Sequence, residues 1–280
     1  MVLVATATVS LPNPAGAMSS NPRLSQVGSW AFAIGDGALS GDVRARFAGF
    51  DLVVVDGEEV KAGQIDALHA NGSLVLGYLN VGAIERGRYW YGRARRYRLG
   101  YWPDWGEWYA NVAAPGYRTL LSRRVAVRML GKGLDGLFID NVDMIETHRR
   151  QRRGMQKLVK RLAGVVHRRG GFLFAQNGES VIAPMLGYLD GWNREDLGFT
   201  YDFDRRRYRR MPAAETASVL ESLRRIAAAG LLTTATSYTD GSTSQSAEAV
   251  KLACNAGAIP FVSDILLTRV GEPLRCGQAG

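Results

Sequence analysis

The sequence predicts an α/β chain folded as a single (β/α)8 TIM barrel with a long aromatic-rich loop after the third strand, and three observations predict it. Eight short apolar runs recur along the chain with helical patterns between them, in the order strand then helix throughout. The runs are apolar at nearly every position, which is the pattern of parallel strands covered on both faces. Polar or acidic residues stand at the C-terminal ends of successive runs: Asp56, Asn80, Asp140, Asn177, Glu195, Tyr238 with Asp240, and Asp264. In a barrel these ends converge on one mouth, where active sites of the fold are built. The alternative, a doubly wound open sheet, would often carry a Gly-rich phosphate fingerprint after its first strand, and this sequence has none there.

Taken in order, SWAFAIG (29–35) is the first strand, and a weaker helical stretch follows at 41–48. DLVVVDG (51–57) is the second strand, followed by helical spacing over 60–70. LVLGYLNVG (74–82) is the third, and after it comes the long loop, 83–112, before helical spacing returns at 114–131. GLFIDN (136–141) leads into a helix at 151–169, FLFAQN (172–177) into one at 179–187, and LDGWNRE (189–195) into one at 213–229. LTTATSY (232–238), a helix at 244–256 and AIPFVSDI (258–265) complete the count. No low-complexity linker divides residues 25–270, so the expected organisation is one barrel domain at 23–271, a leader at 1–22 and a tail at 272–280.

With 280 residues, 46% apolar and 22% charged, the chain has the composition of a soluble globular domain, which excludes wholesale disorder. The formal net charge is +9, and only five of the 35 basic residues are lysines. Arginines cluster at 86–102, 149–153 and 204–210. Such runs serve an acidic partner, a nucleic acid or an anionic surface, or else simply solvate a face. Two cysteines, Cys254 and Cys276, are too few for a disulfide scaffold and form no zinc-type cluster, while a single bridge between them stays open. The apolar run at 2–11 followed by Ala15-Gly16-Ala17 has the small-residue pattern of a secretory cleavage site, but no basic residue precedes it. It reads either as a signal peptide lacking its start or as an unstructured leader; the first places the protein in the periplasm or outside the cell. No other segment approaches the ~20 apolar residues of a membrane span.

Carboxylates carry the chemistry. In FIDNVD (138–143) an apolar strand stops at Asp140, which puts a carboxylate at the mouth on rigid backbone; Asp143 reads equally as a cap of the following turn. In GWNRED (191–196) a strand again ends in acid at Glu195, with Trp192 beside it. Two carboxylates across a mouth can divide glycosidic cleavage, one protonating the leaving oxygen while the other attacks carbon or activates water. An ion pair between Glu195 and Arg194 or another arginine is the competing account. The long loop holds four of the six tryptophans, Trp90, Trp102, Trp105 and Trp108, and five tyrosines, faces that suit sugar rings or stacked bases. His69, His148 and His167 fall in helical or Arg-rich contexts, and no GxSxG elbow, P-loop or HExxH motif occurs.

Five stretches, YLNVGAIERGRYW (78–90), WYANVAAPGYRTLLSRRV (108–125), GLDGLFIDNVDMIE (133–146), FAQNGE (174–179) and NREDL (193–197), resemble glycoside hydrolase family 114, the endo-α-1,4-polygalactosaminidase barrels. The resemblance implies endo-hydrolysis of α-linked galactosamine-containing exopolysaccharide by a secreted barrel that uses neither metal nor other cofactor. It places the catalytic pair on Asp140 and Glu195, with Asp140 as nucleophile and Glu195 as acid/base by analogy with other glycosidases of the fold. It makes Asp56, Tyr78, Asn80, Asp143, Asn177 and Tyr238 sugar-binding positions at the mouth, to which Trp105 and Trp192 add aromatic faces. Where relatives often carry Ser and then an acid in the third-strand motif, this chain has Asn80 and Ala83 and keeps Glu85. The polysaccharide is the expected partner and no nucleic acid is expected; a polysaccharide-binding barrel without activity and an Arg-rich nucleic-acid binder are the rival classes.

Overall fold

The computed structural model describes residues 21–277. The leader thus lies outside the described residues except for Asn21 and Pro22, where the Asn21 side chain accepts from Arg23 N–H and caps a short helix, Pro22–Ser25.

Eight parallel strands form one sheet: β1 (Trp30–Ala33), β2 (Leu52–Asp56), β3 (Leu74–Asn80), β4 (Gly136–Asp140), β5 (Phe172–Gln176), β6 (Gly191–Arg194), β7 (Leu232–Tyr238) and β8 (Ile259–Ser263). Neighbours in the sheet follow chain order from β1 to β8. All eight lie where the sequence predicts them, because buried parallel strands give unbroken apolar runs. The sheet curls until β8 lies near β1, and across that seam the Trp30 indole N–H donates to the Ile259 carbonyl at 3.0 Å. Rings fill the interior: Phe32 lies 5.0 Å from Phe138 and 6.0 Å from Tyr78, and Trp30 lies 5.5 Å from Phe261. The barrel is therefore a packed core rather than a pore.

Helices follow the strands as expected, with local differences. The segment predicted at 114–131 is helical from Pro115 to Leu130 but widens to a π turn over Leu121–Val125. The stretch at 179–187 forms a 3-10 helix, Ala183–Tyr188, and 41–48 reduces to Val43–Arg46. Arg152–His167, Ala213–Ala228 and Thr243–Asn255 are regular helices.

The largest difference is the region read as a loop. Residues 83–112 contain a three-stranded antiparallel sheet, in which Glu107–Ala110 pairs with Ala83–Ile84 on one side and Arg98–Trp102 on the other. The aromatic residues are its packing. Tyr101 and Tyr91 pack on Trp108 with ring centres 5.1 and 6.2 Å away, and the guanidinium groups of Arg86 and Arg98 lie over the same indole. A second insertion after β6 is a hairpin of Phe199–Asp202 with Arg207–Arg210. Its arginines meet acids, Arg205 and Arg209 with Asp202 and Arg210 with Glu248.

Three aspartates hold the opposite end of the barrel in a repeating way. Asp51, Asp135 and Asp190 each immediately precede a strand and accept backbone N–H groups at the start of the strand before: Ser29 N at 2.9 Å, just ahead of β1, Val75 N at 2.9 Å and Leu173 N at 2.8 Å. His69 Nε2 lies 2.8 Å from Asp135 and His167 Nε2 2.8 Å from Asp190, so these two histidines belong to the base and not to the mouth. Cys254 and Cys276 form a disulfide.

Candidate active site

A cavity of about 390 Å3 opens at the C-terminal end of the strands. Its floor comes from β3 to β7 through Tyr78, Asp140, Gln176, Asn177, Glu195 and Tyr238, and its walls come from the two insertions and the segment after β8.

Asp140 ends β4. Its Oδ2 accepts from the Tyr78 hydroxyl at 2.7 Å, and its Oδ1 from Asn141 N–H at 2.6 Å and from Gln176 Nε2 at 3.2 Å. Burial pushes the Asp140 carboxyl upward while those three donors pull it down, and the net direction is up. Glu195 follows β6. Asn177 Nδ2 donates to its Oε2 at 2.7 Å, and the Tyr238 hydroxyl donates to its Oε1. Burial raises its pKa, and the charges of Asp140 and Asp196 raise it further, against only two donors. Of the pair, Glu195 is the group that keeps its proton and Asp140, with three donors, the group that gives it up.

Local backbone explains this presentation. The residue that follows Asp140, Gln176 and Glu195 in each case lies in the left-handed region: Asn141 at φ 59°, Asn177 at φ 56° and Asp196 at φ 58°. Asn and Asp tolerate that conformation better than other non-glycine residues. The chain turns sharply there and leaves the preceding side chain at the strand end. Gly82 answers the first of these turns, since a Cβ there would sit 1.9 Å from the Asn141 carbonyl oxygen.

Two further carboxyls flank the pair. Burial, with the charges of Asp140 and Glu146, lifts Asp143 to about 7. Burial also lifts Asp196. A fifth comes from the inserted sheet: Glu107 accepts from Asn80 Nδ2 at 3.0 Å, and burial together with Glu85 and Asp140 lifts it to about 8. Asn80 is itself fixed, because its Oδ1 accepts from Ala83 N–H at 2.9 Å. Among the described residues no Lys, Arg or His lines the cavity. Nor does any group of three His, Cys, Asp or Glu residues have the arrangement of a metal site there.

Of the residues singled out in the sequence, Tyr78, Asn80, Trp105, Asp140, Asp143, Asn177, Glu195 and Tyr238 all line the one cavity. Two of the proposed sugar contacts do not. Asp56 pairs with Arg88 at 2.7 Å and accepts N–H groups from Glu58 and Glu59. Arg88 also meets Glu85, and Trp90 donates to Glu58, so this buried cluster fastens the inserted sheet to β2. Trp192 is fully buried, because strand alternation turns Asn193 and Glu195 into the barrel and Trp192 out toward the helices. Its indole N–H donates to the Asn177 carbonyl at 2.8 Å, which supports the residue that holds Glu195. Arg194 does not neutralise Glu195: its Nε meets Glu179 at 3.2 Å and its Nη1 the Glu195 carbonyl at 2.7 Å. Glu107, Gln176 and Asp196 were missed as site residues. Asp196 stood in the quoted NRED run, whereas Glu107 joins the site only through the pairing of the inserted strands.

Trp105 is 45% exposed at the rim and meets Phe203 of the second insertion edge-on, with ring centres 5.5 Å apart. The two insertions thus form one aromatic lip above the acids.

A profile of glycoside-hydrolase family GH114 matches residues 12–272. The chain belongs to this glycoside hydrolase family. Among solved structures, the glycoside hydrolase domain of PelA from Pseudomonas aeruginosa is 24% identical, with 88% of this chain and 98% of that one covered and a TM-score of 0.72. Aspergillus fumigatus Ega3, solved in complex with galactosamine, is 18% identical over 94% of this chain and 97% of that one, with a TM-score of 0.65. The α-galactosidase TtGalA from Thermus thermophilus is 12% identical over 84% of this chain and 57% of that one, with a TM-score of 0.58. No curated protein matches the chain. GH114 membership makes this protein a glycoside hydrolase and its fold the TIM barrel that the sequence predicts.

Proposed function

We propose that this GH114 barrel is an endo-acting hydrolase of α-1,4-linked galactosamine polysaccharide that favours deacetylated, positively charged stretches. The observation that carries the reading is the cavity itself: five carboxyls, Glu107, Asp140, Asp143, Glu195 and Asp196, with no basic residue to balance them. An ammonium-bearing sugar that enters supplies the counter-charge these buried carboxyls lack and draws their protons off, a local effect that the net charge of the whole chain does not cancel. The galactosamine bound to Ega3 agrees with it.

Asp140, ionised, attacks the anomeric carbon; Glu195, protonated, delivers its proton to the departing glycosidic oxygen. Glu195 then takes a proton from the water that releases the sugar from Asp140. Tyr78 and Tyr238 hold the two carboxyls in place, and Asn177 steadies Glu195. The open lip of Trp105 and Phe203 suits a polymer laid across the mouth rather than a chain end threaded into it. Secretion is part of the proposal, supported by the apolar run at 2–11 and by the Cys254–Cys276 bridge, which persists in an oxidising compartment.

Release of reducing ends from galactosamine polymers, acetylated and deacetylated, tests the reading with wild type beside Asp140→Asn and Glu195→Gln. Faster cleavage of the deacetylated polymer, lost in both variants, is expected. Binding of either polymer without cleavage by the folded wild type would make this a non-catalytic member and overturn the proposal.

A further inference from the structure

Beneath Asp140 the barrel interior holds a run of polar side chains that the proposed hydrolysis does not itself touch. Asn193 is fully buried, and its Nδ2 donates to Gln176 Oε1 at 2.9 Å. Gln176 Nε2 donates in turn to Asp140 Oδ1 at 3.2 Å. On the other side, Asn193 Oδ1 accepts from the hydroxyls of Thr234 at 3.0 Å and Thr236 at 3.3 Å. The strand register places these residues abreast, Gln176 opposite Asn193 on β5 and β6, and Asn193 opposite Thr234 on β6 and β7.

A side-chain amide has a donating end and an accepting end, so a chain of two amides has a direction. Two hydroxyls on the oxygen of Asn193 leave its NH2 for Gln176. Gln176, having accepted there, has only its own NH2 to offer Asp140. Reversal at Asn193 would set its oxygen against that of Gln176, and reversal at Gln176 would press a carbonyl oxygen against the carboxylate. The composition of the layer points the same way, since barrel interiors are filled by branched apolar side chains, and four buried polar groups in line are a poor substitute unless the line leads somewhere. It ends on Asp140.

We infer that Asn193, Thr234 and Thr236 are positioning residues: their hydrogen bonds keep Gln176 turned NH2-first onto Asp140 and so hold that carboxylate ionised and aimed into the cavity. The inference rests on the reading of Asp140 as the ionised member of the catalytic pair.

The test compares Thr234→Val/Thr236→Val, which removes both hydroxyls, with Thr234→Ser/Thr236→Ser, which keeps them and removes the methyls. Two readouts are taken on the full chain: titration of the Asp140 carboxyl by carbon-13 NMR, which needs no substrate, and the pH profile of kcat/KM on deacetylated polymer. The valine pair is expected to raise the Asp140 midpoint by roughly half a pH unit to one unit. The acidic limb should move with it while the alkaline limb stays, and the serine pair should superimpose on wild type. An unmoved midpoint in the valine pair, or an equal shift in both pairs, overturns the relay. A moved midpoint in a wild-type background without turnover supports the relay and defeats the hydrolase reading alone.

Discussion

Asp140 and Glu195 differ in their donors and in the charges beside them, and this difference supports the roles proposed for them. An acid that must hold its proton at neutral pH needs burial and like-charged neighbours, which Glu195 has; a nucleophile needs donors, and Asp140 has three. Under the proposed general-acid role, Glu195→Gln should lower kcat by about 10²–10⁴-fold with an unchanged far-UV spectrum. Asp143 and Glu107 add a stability consequence. Their folded pKa values, about 7 and about 8, lie above the unfolded values of 3.8 and 4.5. The folded state therefore binds more protons than the unfolded chain between those limits, so these two groups lower stability as pH rises through that window. Asp143→Asn should raise Tm more at pH 8 than at pH 4, as followed by thermal melts at both. An equal gain at the two pH values would count against ionisation as the cause. Asp140 and Glu195 were legible as strand-end acids in a sequence whose strands were clear. Glu107 was not, because its place in the site depends on a side-chain hydrogen bond with a residue 27 positions away.

At the scale of elements, the strands were readable and the insertions were not, for one physical reason. A strand buried on both faces announces itself by apolar residues alone, whereas the strands of the inserted sheet alternate charged, aromatic and small residues over two to five positions. The same insertions make the lip. Trp105→Ala removes one wall of it and no catalytic group, so KM for polymer should rise several-fold while kcat stays near wild type, measured by initial rates over polymer concentration. At the other end, the aspartate before β4 reaches back to β3. Burial works to raise the pKa of Asp135, but the Val75 N–H, Arg23 and His69 outweigh it and the net shift is downward. A depressed carboxylate stabilises the fold above its unfolded pKa and loses that contribution as pH falls through the folded one. Asp135→Ala should thus cost about 1–3 kcal/mol at pH 7 by denaturant titration. The difference from wild type should shrink as the pH drops below about 3.8.

For the whole molecule, the fold class followed from counting strands, yet the C-terminal segment is fastened over the seam of the barrel by contacts that no count supplies. The chain passes β8 and returns along the seam between the last strand and the first. Arg275 reaches Asp51 at 2.8 Å, the aspartate that holds the start of β1, and its Nη2 also donates to the Gly49 carbonyl at 3.0 Å. One residue on, Cys276 is bonded to Cys254 in the helix that precedes β8. Sequence left this bridge open because only the fold brings the two Cα atoms to 5.4 Å. The bridge closes a loop with a sequence separation of 22, for which chain entropy predicts about 3 kcal/mol. Cys254→Ser/Cys276→Ser should lower unfolding stability by about that amount. It should also free Arg275 from Asp51, so that adding Arg275→Ala to the double serine variant costs less than Arg275→Ala costs alone. A full additive loss would mean that the tail is held at the seam without its covalent tether. None of the bonded atoms lines the acidic cavity, so turnover below the melting range should be unaffected in either variant.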